Sequence, residues 1–187
     1  MNKRIEITAQ TKQNLIDAFW SLYREKRIEN ITVKDVTQKA GYNRGTFYEY
    51  FTSVYDVLEH IENFLIPSLD RLPPVSTPSG SLGMPIDTFF TLFNQNRQYY
   101  AVLLGESGDP AFASKLKNSI KPTIMRIFIN KPTIARMELD YILEYTLSAM
   151  IGIMSFWFNQ TDPIPNEKLH ELIHRLMEQG VMRQLFL

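Results

Sequence analysis

One spacing in this sequence could do chemistry directly. Residues 168–179 read KLHELIHRLMEQ, and within them His170, Glu171 and His174 form H-E-x-x-H. On a helix, two His four residues apart lie on one face. They can share a zinc ion while the Glu activates its water for hydrolysis. A catalytic zinc needs a third protein ligand. The extended pattern would place Gly at 177 and His at 180, where this chain has Met177 and Gly180. Glu178 would lie about 12 Å along the helix axis from His170, too far to share one metal. The only other His is His60, far away in the chain. The sequence therefore predicts no metal site, no cofactor and no enzyme, and it makes His170 and His174 the polar flank of a packing helix. No Ser/His/Asp set, phosphate-binding Gly loop or carboxylate pair stands out.

A second group of residues suits a polyanion. Residues 1–48 hold nine Lys/Arg and five Asp/Glu, while residues 49–66 hold four acids and no Lys/Arg. This polarity, a basic front and an acidic back, could orient the segment on nucleic acid although the net charge of the chain is zero.

The elements that position these residues are helices. Thr8 is a candidate N-cap for a first helix reaching about Arg27, with Leu15, Ile16, Phe19, Trp20, Leu22 and Tyr23 at helical spacing. Thr32, with Asp35 three residues on, approximates a capping box. The short helix it starts, 33–39, turns Val36 and Ala40 inward, and Gly41 stops it at positive φ. Asn43 can cap another short helix, 44–51, and Ser53 or Thr52 a longer one. Two short helices about a Gly-centred turn make a helix-turn-helix, whose second helix enters the major groove N-terminal residues first.

All ten Pro lie at or after residue 67, and Pro67 to Pro85 has the Pro/Ser/Gly composition of a loop. Beyond it, helices are expected at about 85–94, 96–105, 110–130, 134–160 and 166–185. The domain reading is a helix-turn-helix domain at 1–51 and a second helical domain at 52–187, with a connecting helix at 53–66 and a loop at 67–85. The fold class is all-α. Hydrophobic residues make up 44% of the 187 residues, with 12 Phe, 8 Met and no Cys, enough for a bulky core without disulfides. The longest apolar candidate, Leu147 to Phe158, is too short for a membrane span, and no signal peptide is evident. A cytoplasmic protein with no membrane partner is expected.

Residues 31–58, ITVKDVTQKAGYNRGTFYEYFTSVYDVL, resemble the DNA-binding signature of the TetR (tetracycline-repressor-like) family. Thr32, Val33, Ala40, Gly41, Gly45, Thr46, Tyr48, Tyr50 and Phe51 match its pattern, with Phe47 in place of Leu. The resemblance spans about residues 8–66. Weaker likenesses at 96–104 and 139–160 point to the C-terminal class that includes the activator of dihydroxyacetone-kinase operons. Two departures stand out. Tyr42-Asn43 replaces the usual Val-Ser, and Val54 replaces a Lys that reaches a phosphate. Losing one such contact should weaken DNA binding and flatten its salt dependence by about one unit of slope.

Arg44 opens the second helix, where a guanidinium can pair with guanine O6/N7. Asn43 and Thr46 could reach bases or phosphates, and Gly45 lets the backbone come close. Tyr48 and Tyr50 suit phosphate oxygens, and Phe47 and Phe51 suit the core. Thr32 and Lys34 complete the set through a helix N-terminus and a cation. In the second domain, Phe89, Phe93, Tyr100, Phe128, Tyr145, Met154 and Trp157 could line an effector pocket, beside Phe90, Tyr99, Tyr141 and Met150. Leu143, Met150, Ile153, Leu169, Leu172, Ile173 and Leu176 are the candidate dimer interface, two helices from each copy making four. The resemblance implies a homodimeric regulator that reads a palindromic operator on double-stranded DNA, a repressor released by an unidentified small-molecule effector. The alternative is a non-enzymatic dimeric co-regulator or activator partner with little DNA binding of its own.

Overall fold

A computed structural model describes residues 3–66, 90–91, 93–105, 108–128, 135–177 and 180, and every regular element among them is helical. The expected Pro67–Pro85 loop, Phe89, Glu178, Val181 and Leu185 lie outside the described residues. The chain forms two compact units, 1–65 and 66–187.

In the first unit, α1 runs Lys3–Tyr23, longer at its start than expected. Thr8 lies inside it rather than capping it. Nothing in 3–7 is Gly or Pro, so no breaker halts the helix there. The helix also ends earlier than Arg27. A turn follows Tyr23, and a single 3₁₀ turn covers Ile28–Asn30. Leu15, Ile16, Ala18, Phe19, Trp20 and Tyr23 form its buried stripe, with the Phe19 and Tyr23 rings stacked at 5.6 Å. Then come α2 (Val33–Ala40), α3 (Arg44–Tyr48) and α4 (Val54–Leu65), with α2 and α4 packed on α1. Val36 is fully buried as expected, but Ala40 is half-exposed. Its place inside is taken by Thr37, whose hydroxyl donates to the Val33 carbonyl at 2.9 Å and so tolerates burial.

The connecting helix α4 falls within this first compact unit, which runs to residue 65. Its Val57, Leu58, Ile61 and Leu65 are buried. Ser53 caps it: the Asp56 amide donates to Ser53 Oγ, and the Asp56 carboxylate accepts from the Thr52 amide at 2.8 Å. Glu62 is 1% exposed, which removes one of the four acids from the expected acidic back.

The second unit holds helical residues at 90–91 and 93–95, then α5 (Arg97–Leu103), α6 (Phe112–Phe128), α7 (Arg136–Phe158) and α8 (Asn166–Leu176). The α6 helix continues through Pro122 and the β-branched residues after it. Lys117 and Lys121 on α6 pair with Glu144 and Asp140 on α7, fixing these two helices side by side. Lys117, then Lys121, hold the Glu144 carboxyl below its usual range, and Asp140, then Glu144, push the Lys121 ammonium up. Contrary to the sequence expectation, α7 is long and apolar enough to cross a membrane by length and composition alone. The helix is longer than the apolar stretch Leu147 to Phe158 and takes in Asp140 and Glu144. In the fold those two acids pair with Lys117 and Lys121 of α6, and Leu139, Leu143, Leu147, Met154 and Trp157 are buried.

Candidate nucleic-acid interface

The α2–turn–α3 unit is assembled by local hydrogen bonds that its sequence dictates. The Asp35 amide donates to Thr32 Oγ1 at 3.2 Å, and the Thr32 amide donates to Asp35 Oδ2 at 3.0 Å, a reciprocal capping box. Lys26 reaches the same carboxylate at 3.1 Å. The Thr32 amide, then the Lys26 ammonium, hold the Asp35 carboxyl below the usual range. At the other end Gly41 adopts φ 76°, ψ 26°, and both the Gly41 and Tyr42 amides donate to the Thr37 carbonyl. This left-handed exit turns the chain sharply enough for α3 to begin three residues later.

Asn43 caps α3, its Oδ1 accepting from the Thr46 amide at 2.9 Å. The cap engages three of the expected DNA-facing residues. Asn43 Oδ1 is occupied, the Thr46 hydroxyl also leans on it at 3.4 Å, and a Cβ added at Gly45 would sit 3.1 Å from it. Gly45 thus has a local reason to lack a side chain, independent of any approach to DNA. Phe47 is fully buried and Phe51 nearly so, their rings 5.8 Å apart, which anchors the inner side of α3. Val54 is 7% exposed. It is a core residue, and no cation occupies that position.

The opposite side of the unit faces solvent. Thr32, Lys34, Asn43, Arg44, Gly45 and Tyr48 are exposed, and Thr46 and Tyr50 are half-exposed. Neither Lys34 nor Arg44 is ion-paired among the described residues, whereas Lys26 is tied to Asp35. The arrangement therefore offers two free cations, a tyrosine hydroxyl and two helix N-termini on one short stretch of chain. That set suits phosphate and base-edge contacts. The sequence reading missed a contact that crosses the unit: Asn14 Nδ2 of α1 donates to the Tyr42 hydroxyl at 2.9 Å. The available signal was Tyr42 itself, standing where the family pattern has Val.

In the second unit the structure separates residues that the sequence grouped. Phe93 and Tyr100 stack at 4.0 Å, 2% and 1% exposed, and burial pushes the Tyr100 phenol far above its ordinary range. Met154 and Trp157 are also buried. Trp157 Nε1 donates to the Ile164 carbonyl at 2.7 Å, and Arg97 lies over its ring. These four residues pack as core. Tyr145 instead is 67% exposed and lines an open groove of about 610 Å³ between α7 and α8. Phe89 and the Phe128 side chain fall outside the described residues. The groove is lined by four of the residues expected at a dimer interface, Met150, Ile153, Ile173 and Leu176. Leu143 and Leu169 are buried away from it, and Leu172 is half-exposed. His170 sets its ring edge-on to Phe90 at 4.6 Å, with His174 at 6.2 Å. Among the described residues no group of three or more His, Cys, Asp or Glu could hold a metal ion.

Comparison with known proteins follows the same division of the chain. Residues 15–61 match the family described as "Bacterial regulatory proteins, tetR family", and residues 85–179, half of the chain, match "Transcriptional regulator C-terminal region". No curated protein matches. Among solved structures, a TetR transcriptional regulator from Streptococcus agalactiae is 24% identical, with 92% of this chain and 96% of that one covered at a TM-score of 0.65. The dihydroxyacetone kinase operon activator DhaS is 18% identical, with 91% and 96% covered at 0.62. The fatty acid degradation regulator FadR from Bacillus halodurans is 14% identical, with 91% and 95% covered at 0.67. At these identities the likeness is one of fold.

Proposed function

Since the chain belongs to the TetR family and is a DNA-binding transcriptional regulator, we propose that it acts as a homodimer on a palindromic operator. In this reading it is a repressor that a small-molecule effector releases. The observation that carries the DNA-reading part is the capped α2–turn–α3 unit. Its inner side is anchored by Phe47, and its outer side presents Arg44 without an ion pair among the described residues. Arg44 reads a base edge, while Lys34, Tyr48, Tyr50 and the Thr32 end of α2 contact phosphates. Asn43 and Thr46 serve the cap first. Gly45 keeps that cap unobstructed.

The dimer seam is the α7/α8 groove. Its apolar lining, with Tyr141, Tyr145 and Leu176 exposed, is a surface that a monomer would leave wet. The effector binds in the second unit and shifts the equilibrium between two spacings of the reading heads, which requires different affinity for each. A regulator of this kind works in the cytoplasm, where a bacterial chromosome lies, and catalyses nothing. The buried Val54 favours a second reading, a dimeric co-regulator or activator partner with weak DNA binding of its own, because one expected phosphate contact is missing. Selection of bound sequences from a random duplex pool at two salt concentrations separates the two. Enrichment of a palindrome, lost on Arg44→Ala, supports the stand-alone regulator. No enrichment even at low salt shifts the reading to the co-regulator.

A further inference from the structure

The contact between Asn14 and Tyr42 has no part in the reading given above, and it occupies a telling place. The α3 helix has five residues. Its one deep anchor is Phe47, fully buried near its C-terminal end. Arg44 lies three residues earlier, about 4.5 Å along the axis. A single anchor fixes where a short rod sits without fixing where it points, so a second fixed point is needed near the N-terminal end. Asn43 does not supply it, because its bond to Thr46 is internal to the helix.

Tyr42, two residues before Arg44, does supply it. Its amide is held by the Thr37 carbonyl of α2 at 2.9 Å, and its hydroxyl accepts from Asn14 Nδ2 of α1 at 2.9 Å. Asn14 is itself steadied by Gln10, whose Nε2 donates to Asn14 Oδ1 at 2.8 Å. Both Asn14 and Tyr42 are half-buried, so the bond is partly shielded from competing water. The bond links residues 28 apart in the chain. It therefore belongs to the tertiary frame of the unit and plays no part in local helix capping.

We propose that Asn14 and Tyr42 are positioning residues for DNA reading: their hydrogen bond, with buried Phe47, sets the tilt of α3 and so the aim of Arg44. This rests on the DNA-reading function above. Neither residue needs to touch DNA for the bond to act. A bond that orients a reading helix stabilises the complex with the correct duplex. It does little for backbone contacts that form on any duplex.

The test uses the full chain and the duplex that wild type enriches from a random pool, beside a scrambled duplex of equal length. Affinities of wild type, Tyr42→Phe, Asn14→Ala and the double variant are measured on both. Tyr42→Phe keeps the ring and loses only the hydroxyl. The expected result is about three- to tenfold weaker binding to the enriched duplex, the range one hydrogen bond commands. Affinity for the scrambled duplex stays unchanged, and the double variant is no worse than the poorer single one. The ratio of the two affinities remains decisive if a variant is less stable, because an unfolded fraction lowers both equally. Two outcomes overturn the inference: no loss on the enriched duplex, or an equal loss on both duplexes, which leaves the preference for the enriched sequence intact. If wild type enriches no sequence at all, the DNA-reading function falls and this inference falls with it. If wild type enriches one and Tyr42→Phe keeps the full preference, only the positioning role falls.

Discussion

At Arg44 a long cation leaves the first turn of α3 exposed, with no carboxylate bound to it among the described residues. Truncating it removes nothing from the core. Arg44→Ala should leave the melting temperature within about 4 °C of wild type, since surface changes of this kind stay within about 0.5 kcal/mol. It should also cost about 1–3 kcal/mol of discrimination at one base-pair position. Thermal unfolding, together with binding to single-base-pair variants of the enriched duplex, checks both. His60 gives a pH prediction. It sits edge-on to Phe51 at 5.8 Å, and its pKa is lowered from 6.5, first by desolvation and then by Lys12, with Asp56 opposing. A group whose folded pKa is depressed holds fewer protons folded than unfolded between the two values. Its contribution to stability is therefore full above about pH 6.5 and is lost as pH falls through the folded pKa. Wild type should lose melting temperature between pH 7 and 5 more steeply than His60→Gln. Equal slopes for the two would remove His60 as the cause.

Among the elements, the α2 helix shows what local sequence can and cannot announce. Thr32→Ala should destabilise the first unit by about 1 kcal/mol through loss of the capping box. Gly41→Ala should cost about 1–2 kcal/mol, because φ 76° is strained for any side chain although open space surrounds the position. Gly41→Asn should cost less, and urea titration of the three variants gives the order. These features were legible because a cap, a breaker and an Asx residue act on their own neighbours within four positions. Thr8 misled for the complementary reason: a capping residue type caps only where the chain upstream cannot continue the helix. The second unit was legible in its helices but not in its faces. Tyr100 and Tyr145 are the same residue type on comparable helices, yet one is 1% and the other 67% exposed. Which side a helix buries depends on its tertiary neighbours, such as Phe93 stacked on Tyr100. Composition carries no record of them. The Asn14–Tyr42 bond escaped for the same reason, since it spans two elements.

For the whole molecule, the open α7/α8 groove and the seam proposed there lead to a prediction about assembly. Leu176 is 52% exposed on the groove wall, so Leu176→Glu should disturb the protomer little while placing a charge in the seam. Sedimentation equilibrium should find wild type dimeric at micromolar concentration and Leu176→Glu shifted toward monomer. A monomeric wild type would sink the homodimer. The brevity of α3 has a last consequence. Fixing the first turn of a helix is unfavourable, and segments below about 12–15 residues are marginal in water. Five residues have no helical existence apart from the α1–α2 frame. The hydrogen-bonded amide proton of buried Phe47 should exchange with solvent no faster than those of the surrounding core, since it is released only when the whole first unit opens. Recognition and folding of that unit then share one cooperative transition. A regulatory signal has no means of unwinding the reading helix alone; it can only redirect an intact head.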